Sequence, residues 1–319
     1  MLWNVNCINC IAMIFFIHQC CLRGHIRALK SFLLACNIWV LISFVDVTYN
    51  VFISHSVEST WHWYLLCGYD NGLGAYLLAI MILNLIFYIR RLHRPFVLLF
   101  ATLAALQLFF VWSVTAMIGV ILIAIVYYCV VHNIFMRLTN AITISCLSII
   151  VFIIVVIMQT YRNPLTEWII AGVFRKSMDL SIRTLIWMNA ISNLQVSPLI
   201  GNGFAIDKFS EIYYGNAAAH NIILDVLNVS GIVGFILFLA MIVLILRTSI
   251  EKNLEKDVRF ALSAFSVFLV ILQFESYANY YGYPLIFGIA ALGVFHCDCL
   301  HKCGCHTINH KSIMRGLLQ

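Results

Sequence analysis

Long apolar segments separated by short basic stretches run through this 319-residue chain. Runs of about 17 to 25 apolar residues recur, and each is long enough to cross roughly 30 Å of hydrocarbon as a helix. Hydrophobic residues make up 63% of the chain and charged residues only 10%, which excludes a soluble globular domain. The sequence therefore predicts an all-α polytopic membrane protein.

About nine segments are predicted to be transmembrane helices because they are predominantly apolar along their length. They are residues 3–22, 31–53, 73–89, 95–112, 114–131, 140–160, 231–247, 259–274 and 281–296. The first 21 residues have the length of a signal peptide. No positive charge precedes their apolar core and no clear small-residue cleavage site follows it, so we assign them to the first span.

Basic residues predict the orientation of these spans. They cluster after the first, third, fifth and seventh spans, which the positive-inside rule places in the cytoplasm. The clusters contain Arg23, Arg27 and Lys30; Arg90, Arg91 and Arg94; Arg137; and Arg247, Lys252, Lys256 and Arg259. The net charge of +6 is thus a topology signal, and no nucleic-acid partner is expected.

This topology divides the chain into four parts. Residues 1–160 form a first bundle of about six spans, and residues 161–230 form a large external loop with an entry helix. Residues 231–296 hold the last three spans, and residues 297–319 form a cytoplasmic tail rich in cysteine and histidine. A loop this long usually carries function, so we expect the chemistry there.

The tail has many soft side chains that are able to bind a metal. Its CxCxxxCxC spacing differs from the CxxC pairs of zinc folds, so we predict no metal site and keep zinc binding as the alternative.

A short amphipathic helix is predicted inside the loop, lying along the membrane surface. The residues of its mostly apolar face, at helical spacing, are Leu180, Thr184, Trp187, Ile191 and Leu194. Pro198, Gly201 and Gly203 then predict a turn. Arg183 lies one turn before Trp187, so its guanidinium either stacks on the indole or anchors the helix at the interface.

A second helix is predicted from Ala218 to Val229, at the end of the loop. Asn221, Asp225 and Asn228 share one of its faces at i, i+4 and i+7, while His220 lies at its start. A lone histidine at a helix entrance is more often a cap or a hydrogen-bonding partner than a catalyst. The combination with the preceding helix and turn favours a functional interpretation.

Three motifs together carry a family resemblance: R-x-x-x-W, P-x-x-G-x-G and H-N-x-x-L followed by G-x-x-G. They are formed by Arg183, Trp187, Pro198, Gly201, Gly203, His220, Asn221, Leu224, Gly231 and Gly234. This arrangement resembles the O-antigen ligase and O-antigen polymerase family of bacterial envelope enzymes. The two last glycines also allow close helix packing or a bend.

The resemblance implies a multi-pass protein of the bacterial inner membrane whose large loop is periplasmic. It implies a metal-independent glycosyltransferase of lipopolysaccharide biosynthesis that needs no cofactor. The donor would be a glycan on undecaprenyl pyrophosphate and the acceptor a sugar hydroxyl, with a chain-length regulator or a flippase as further partners. The motif wording favours a polymerase, and a ligase that transfers the glycan to lipid A core is the alternative.

By this resemblance His220 is the general base that takes the proton of the acceptor hydroxyl, a role that suits a side chain titrating near neutrality. Asn221 and Asp225 then orient the histidine or bind sugar hydroxyls. Helix capping and interhelical hydrogen bonds explain these two residues equally well.

Arginines suit the pyrophosphate because a guanidinium fork matches phosphate geometry and stays charged. Arg183 is the first candidate, followed by Arg162 and Arg175. Many members of the family carry an arginine where this chain has Val114, in the segment SVTA. Arg162, Arg175 or Lys176 would have to take its place.

A transporter without covalent chemistry is the alternative from another class, and a purely structural membrane protein is a third. A transporter is expected to show paired intramembrane charges or broken helices in two matching halves, and the sequence has neither.

Overall fold

A computed structural model describes residues 2–53, 63–64, 68–157, 183–203, 219–251, 254–275 and 282–295. Most of these residues lie in ten α-helices. The helices are α1 (Leu2–Arg23), α2 (Ile26–Thr48), α3 (Asp70–Ile89), α4 (Arg94–Phe110), α5 (Val114–His132), α6 (Ala141–Phe152), α7 (Arg183–Leu194), α8 (Ile222–Arg247), α9 (Lys256–Ile271) and α10 (Tyr283–Val294). Two short strands, β1 (Trp63–Tyr64) and β2 (Gly68–Tyr69), pair antiparallel before α3. The predicted helical class is confirmed.

Each predicted span overlaps one of these helices, and α7 is the short helix expected in the loop. Among the described residues, four helical segments are long and apolar enough to cross a membrane by length and composition. They are Ile26–Phe52, Gly72–Ile89, Val114–His132 and Ile222–Ile250. The total of nine crossings and the periplasmic position of the loop stay predictions.

Helices α3 and α9 form the centre of the bundle. α9 is buried at every position from Phe260 to Ile271, and α3 is buried from Leu77 to Phe87. Asn84 of α3 and Asn37 of α2 are both fully buried and exchange two amide hydrogen bonds, at 2.8 and 3.1 Å. Such paired amides join helices in an apolar interior, where an unpaired polar group would be costly.

The two ends of α9 contact different parts of the chain. At its first turn, Asp257 forms a buried ion pair with Arg90, which follows α3, and Lys256 donates to the carbonyl of Val131 at 2.5 Å. The segments predicted to be cytoplasmic therefore meet at one end of the bundle. Glu275 lies just past the other end of this 16-residue helix, which is about 24 Å long.

Helix α8 is broken at Gly231, which corresponds to the second of the two alternatives for these glycines, close packing or a bend. Gly231 has φ 64° and ψ −166°, a conformation that is essentially restricted to glycine. The break releases the N–H groups of Ile232 and Val233 from the helix. They donate to the carbonyls of Pro198 and Leu199, at 2.9 and 3.1 Å.

The turn at residues 198–203 also satisfies the other side of the break. The carbonyls of Asn228 and Val229 accept the N–H groups of Asn202 and Gly203, at 2.8 and 3.1 Å. A β-carbon on Gly201 would lie 2.5 Å from the backbone nitrogen of Gly231. The backbone of the turn therefore packs directly against the backbone at the break, because neither Gly201 nor Gly231 has a side chain.

We predict that Gly231→Ala destabilises the protein more than Gly203→Ala. Both glycines have positive φ, but a β-carbon on Gly231 would collide with the Leu199 carbonyl, whereas Gly203 has open space. Backbone strain costs about 1–3 kcal/mol and overpacking a similar amount. Thermal unfolding of the detergent-solubilised variants measures the difference, and equal shifts in midpoint would contradict the packing argument.

Candidate functional site

Three segments distant in sequence meet at the Glu275 end of α9. They are the first turn of α7, residues 219–221 before α8, and residues 272–275 after α9. The N–H of Ile222 donates to the carbonyl of Leu272 at 2.9 Å, which joins the second segment to the third. The helix predicted inside the long loop and the histidine predicted near its end therefore lie close together.

His220 lies in a left-handed backbone conformation, with φ 53°, which is uncommon for a residue other than glycine. Its side chain is 20% exposed, and its Nδ1 lies 2.7 Å from Oε1 of Glu275. Among the described residues, its Nε2 has no hydrogen-bond partner. Because a carboxylate accepts a proton from Nδ1, Nε2 is the ring nitrogen left to accept a proton from a substrate.

The residue before His220 is held by two helices. The Ala219 N–H donates to Oδ1 of Asp225 at 2.7 Å, and the Ala219 carbonyl accepts from Nε1 of Trp187 at 2.9 Å. Trp187 is only 1% exposed and packs in a small apolar cluster with Leu224. These contacts maintain the unusual backbone of His220, since both polar groups of the preceding residue are fixed.

The residue after His220 caps helix α8. The Asn221 side-chain oxygen accepts the N–H groups of Ile223 and Leu224, at 3.0 and 3.1 Å, in the manner of an N-cap. Its amide donates to the carbonyl of Gln273 at 3.0 Å. The predicted helix start at Ala218 is therefore wrong, because the capping asparagine and the positive φ before it set the start at Ile222.

The polar face predicted for this helix points into the protein. Asn221, Asp225 and Asn228 are 0%, 5% and 0% exposed. Asn228 accepts from the amide of Asn193 on α7 at 3.0 Å. Asn221 bonds to backbone groups and to the amide of Gln273, and Asp225 accepts the N–H of Ala219. These bonds correspond to the capping alternative for the two candidates.

Arg183, the first residue of α7, reaches the segment after α9. One of its terminal nitrogens donates to the Phe274 carbonyl at 2.8 Å, and the other contacts Oε2 of Glu275 at 3.2 Å. Stacking on Trp187 and anchoring at the interface were the two alternatives for Arg183. The structure shows the Trp187 indole donating to the Ala219 carbonyl and the Arg183 guanidinium contacting a carboxylate.

Glu275 contacts both His220 and Arg183, the two candidates that the sequence identified. Glu275 itself was not among the candidates. The residue is 1% exposed and uses one carboxylate oxygen for His220 and the other for Arg183. It lies 55 and 92 residues from them along the chain, so no local motif includes it. The available signal was an acidic residue directly after a buried span, on the side predicted for the long loop.

The remaining candidates are placed as follows. Arg162, Arg175 and Lys176 lie outside the described residues, as does the Cys/His-rich tail. Val114, where the family often has an arginine, is the first residue of α5 and is 37% exposed.

The cluster of His220, Glu275 and Arg183 has the components for moving a proton. A buried carboxylate orients the imidazole, the imidazole presents its second nitrogen, and a guanidinium supplies permanent positive charge. A proton taken up by the imidazole would be stabilised by the adjacent carboxylate.

Comparison with family models matches residues 68–239, which contain Arg183 and His220, to the O-antigen ligase family. Comparisons with curated proteins and with solved structures give no match. The family match covers more than half of the 319 residues. The chain therefore belongs to the O-antigen ligase family.

Proposed function

We propose that this chain transfers a glycan from undecaprenyl pyrophosphate to an acceptor sugar hydroxyl, with His220 as the general base. The observation that carries the proposal is the 2.7 Å contact between His220 Nδ1 and the buried Glu275, which leaves Nε2 for the acceptor. The family of the chain, whose members are described as O-antigen ligases, supports this reaction class.

The proposed reaction is a single substitution at the anomeric carbon. The acceptor oxygen attacks that carbon as its proton passes to His220 Nε2, and the bond from the carbon to the pyrophosphate oxygen breaks. The leaving pyrophosphate keeps the electron pair and remains on the lipid. The base is needed because a sugar hydroxyl is a weak nucleophile until its proton is removed.

Charge develops on the leaving group, so basic side chains are needed there and not at the acceptor. Arg162 and Arg175 keep their proposed role as contacts of the pyrophosphate. We propose that the reaction needs no metal, since arginines supply the positive charge and the imidazole takes the proton.

Asn221 and Asp225 act in this proposal by holding the backbone around His220. Asn221 caps α8 directly after the histidine. Asp225 accepts the N–H of Ala219, the residue directly before the histidine. A displacement of the base by about 1 Å can cost two orders of magnitude in rate, so such support is part of the mechanism.

We predict that His220→Ala nearly abolishes glycan transfer while the protein stays inserted in the membrane. A positioned general base contributes about 100- to 10,000-fold, and the alanine variant has no group to replace it. Transfer is measured in membranes of a deletion strain supplied with lipid-linked glycan, with protein amount checked by immunoblot.

His25→Ala is the matched control, because His25 is exposed, precedes α2 and makes no side-chain capping bond. It should keep wild-type transfer. Wild-type transfer by His220→Ala would reject the proposed base.

Within this reaction class we propose a polymerase, and the family description favours a ligase as the second candidate. We predict that deletion of the gene leaves lipid A core capped with a single repeat, because the growing chain is no longer moved onto new lipid-linked repeats. Electrophoresis of lipopolysaccharide and of lipid-linked glycan measures this. Bare core with accumulated long lipid-linked polymer would establish the ligase instead.

A further inference from the structure

We infer that Glu275 is the positioning residue for His220 and that Arg183 acts through Glu275 rather than on the donor pyrophosphate. The inference rests on the proposed function, since it assigns roles around the proposed base. It changes the expectation for Arg183, which the sequence placed at the leaving group.

Both oxygens of the Glu275 carboxylate are engaged. Oε1 lies 2.7 Å from His220 Nδ1, and Oε2 lies 3.2 Å from a terminal nitrogen of Arg183. With the side chain 2% exposed, the carboxylate has no open face toward a substrate. Glu275 therefore acts on the reaction only through the groups it binds.

The contact with Glu275 determines which nitrogen of His220 is the base. An imidazole has two tautomers, and a carboxylate at Nδ1 selects the one whose Nε2 carries a lone pair. The distance of 2.7 Å is that of a charge-assisted hydrogen bond. The same carboxylate stabilises the imidazolium that forms once the acceptor proton has moved.

Arg183 offsets the cost of burying the Glu275 carboxylate by placing a positive charge next to it. Glu275 follows the carboxyl end of α9, where the helix dipole is negative, and a buried carboxylate there needs a positive partner. A neutral imidazole does not supply that charge before the reaction, whereas a guanidinium always carries it.

The second contact of Arg183 fixes the same segment. Its other terminal nitrogen donates to the Phe274 carbonyl at 2.8 Å, so both ends of the guanidinium bind residues 274–275. A pyrophosphate would have to compete with Glu275 for this fork. The geometry thus assigns Arg183 to the Glu275 and His220 pair and leaves the leaving group to other basic residues.

The first test is a double-mutant cycle between Glu275 and His220, measured as transfer of lipid-linked glycan extracted from the deletion strain. Glu275→Gln should lower kcat by about 100-fold or more, because the amide keeps the shape but loses the charge that orients and stabilises the imidazole. In a His220→Ala background the same substitution should cause almost no further loss, because Glu275 acts only through the histidine.

A merely structural role would lower activity in both backgrounds by the same factor, and that result would overturn the inference. Glu275→Asp should recover part of the lost kcat, since it keeps the charge one methylene further back. Glu251→Gln is the matched control, because Glu251 is exposed beyond the opposite end of the bundle; it should keep wild-type kcat.

The second test separates the two roles of Arg183. Arg183→Lys keeps the charge but cannot reach both Phe274 and Glu275 with a planar fork. It should lower kcat and leave KM for the lipid-linked donor unchanged. A raised donor KM with unchanged kcat would place Arg183 on the pyrophosphate and overturn this part of the inference.

Failure of the inference and failure of the proposed function give different results. If His220→Ala transfers glycan normally, the proposed base is wrong. If His220→Ala is inactive and Glu275→Gln is as active as wild type, His220 stands and the role of Glu275 is rejected.

Discussion

Backbone polar groups inside an apolar protein need hydrogen-bond partners within the chain. The groups that the break in α8 leaves without helical partners bond to the turn at 198–203. Two N–H groups and two carbonyls at the break pair with that turn. Because the turn directly follows α7, the pairing holds α7 against the first half of α8. Trp187 on α7 then reaches the carbonyl next to His220. The position of the histidine therefore depends on the hydrogen bonds that the residues on either side of Gly231 make with the turn.

A second constraint acts from α9. That helix is buried along most of its length, so the residues that follow it have little freedom to move. Leu272 and Gln273 bind the residues after His220 through backbone and amide hydrogen bonds, and Glu275 binds the imidazole. The backbone around His220, the proposed base, is thus held on both sides: α7 binds the residue before it, and the end of α9 binds the residue after it. Rigid support of this kind is what a positioned proton acceptor requires.

The helices were largely predictable because apolar runs of span length have few alternatives to a helix. The start of α8 was not, because its capping residue and the positive φ of His220 set it at Ile222. The site was predictable in part. His220 and Arg183 lie in recognisable motifs, whereas Glu275 is remote in sequence and became visible only when α9 was packed beside α7. Residue spacing also cannot assign a role when the same pattern suits two different roles. The i, i+4 and i+7 stripe that begins at Asn221 suits sugar binding and capping equally. The burial of its members and their hydrogen bonds to backbone groups favour capping.

The assignment of Arg183 also bears on the missing family arginine at Val114. A guanidinium held by Glu275 has part of its charge balanced within the protein, so it contributes less to a pyrophosphate than its formal charge suggests. In the proposed reaction, with valine at position 114, the positive charge for the leaving group would come from elsewhere on the predicted periplasmic side. Arg162, Arg175 and Lys176 lie in the part of the long loop between α6 and α7, and the first residue of α7 contacts Glu275. The proposed function therefore assigns the proton to residues fixed by the helices and the phosphate to basic residues of the loop.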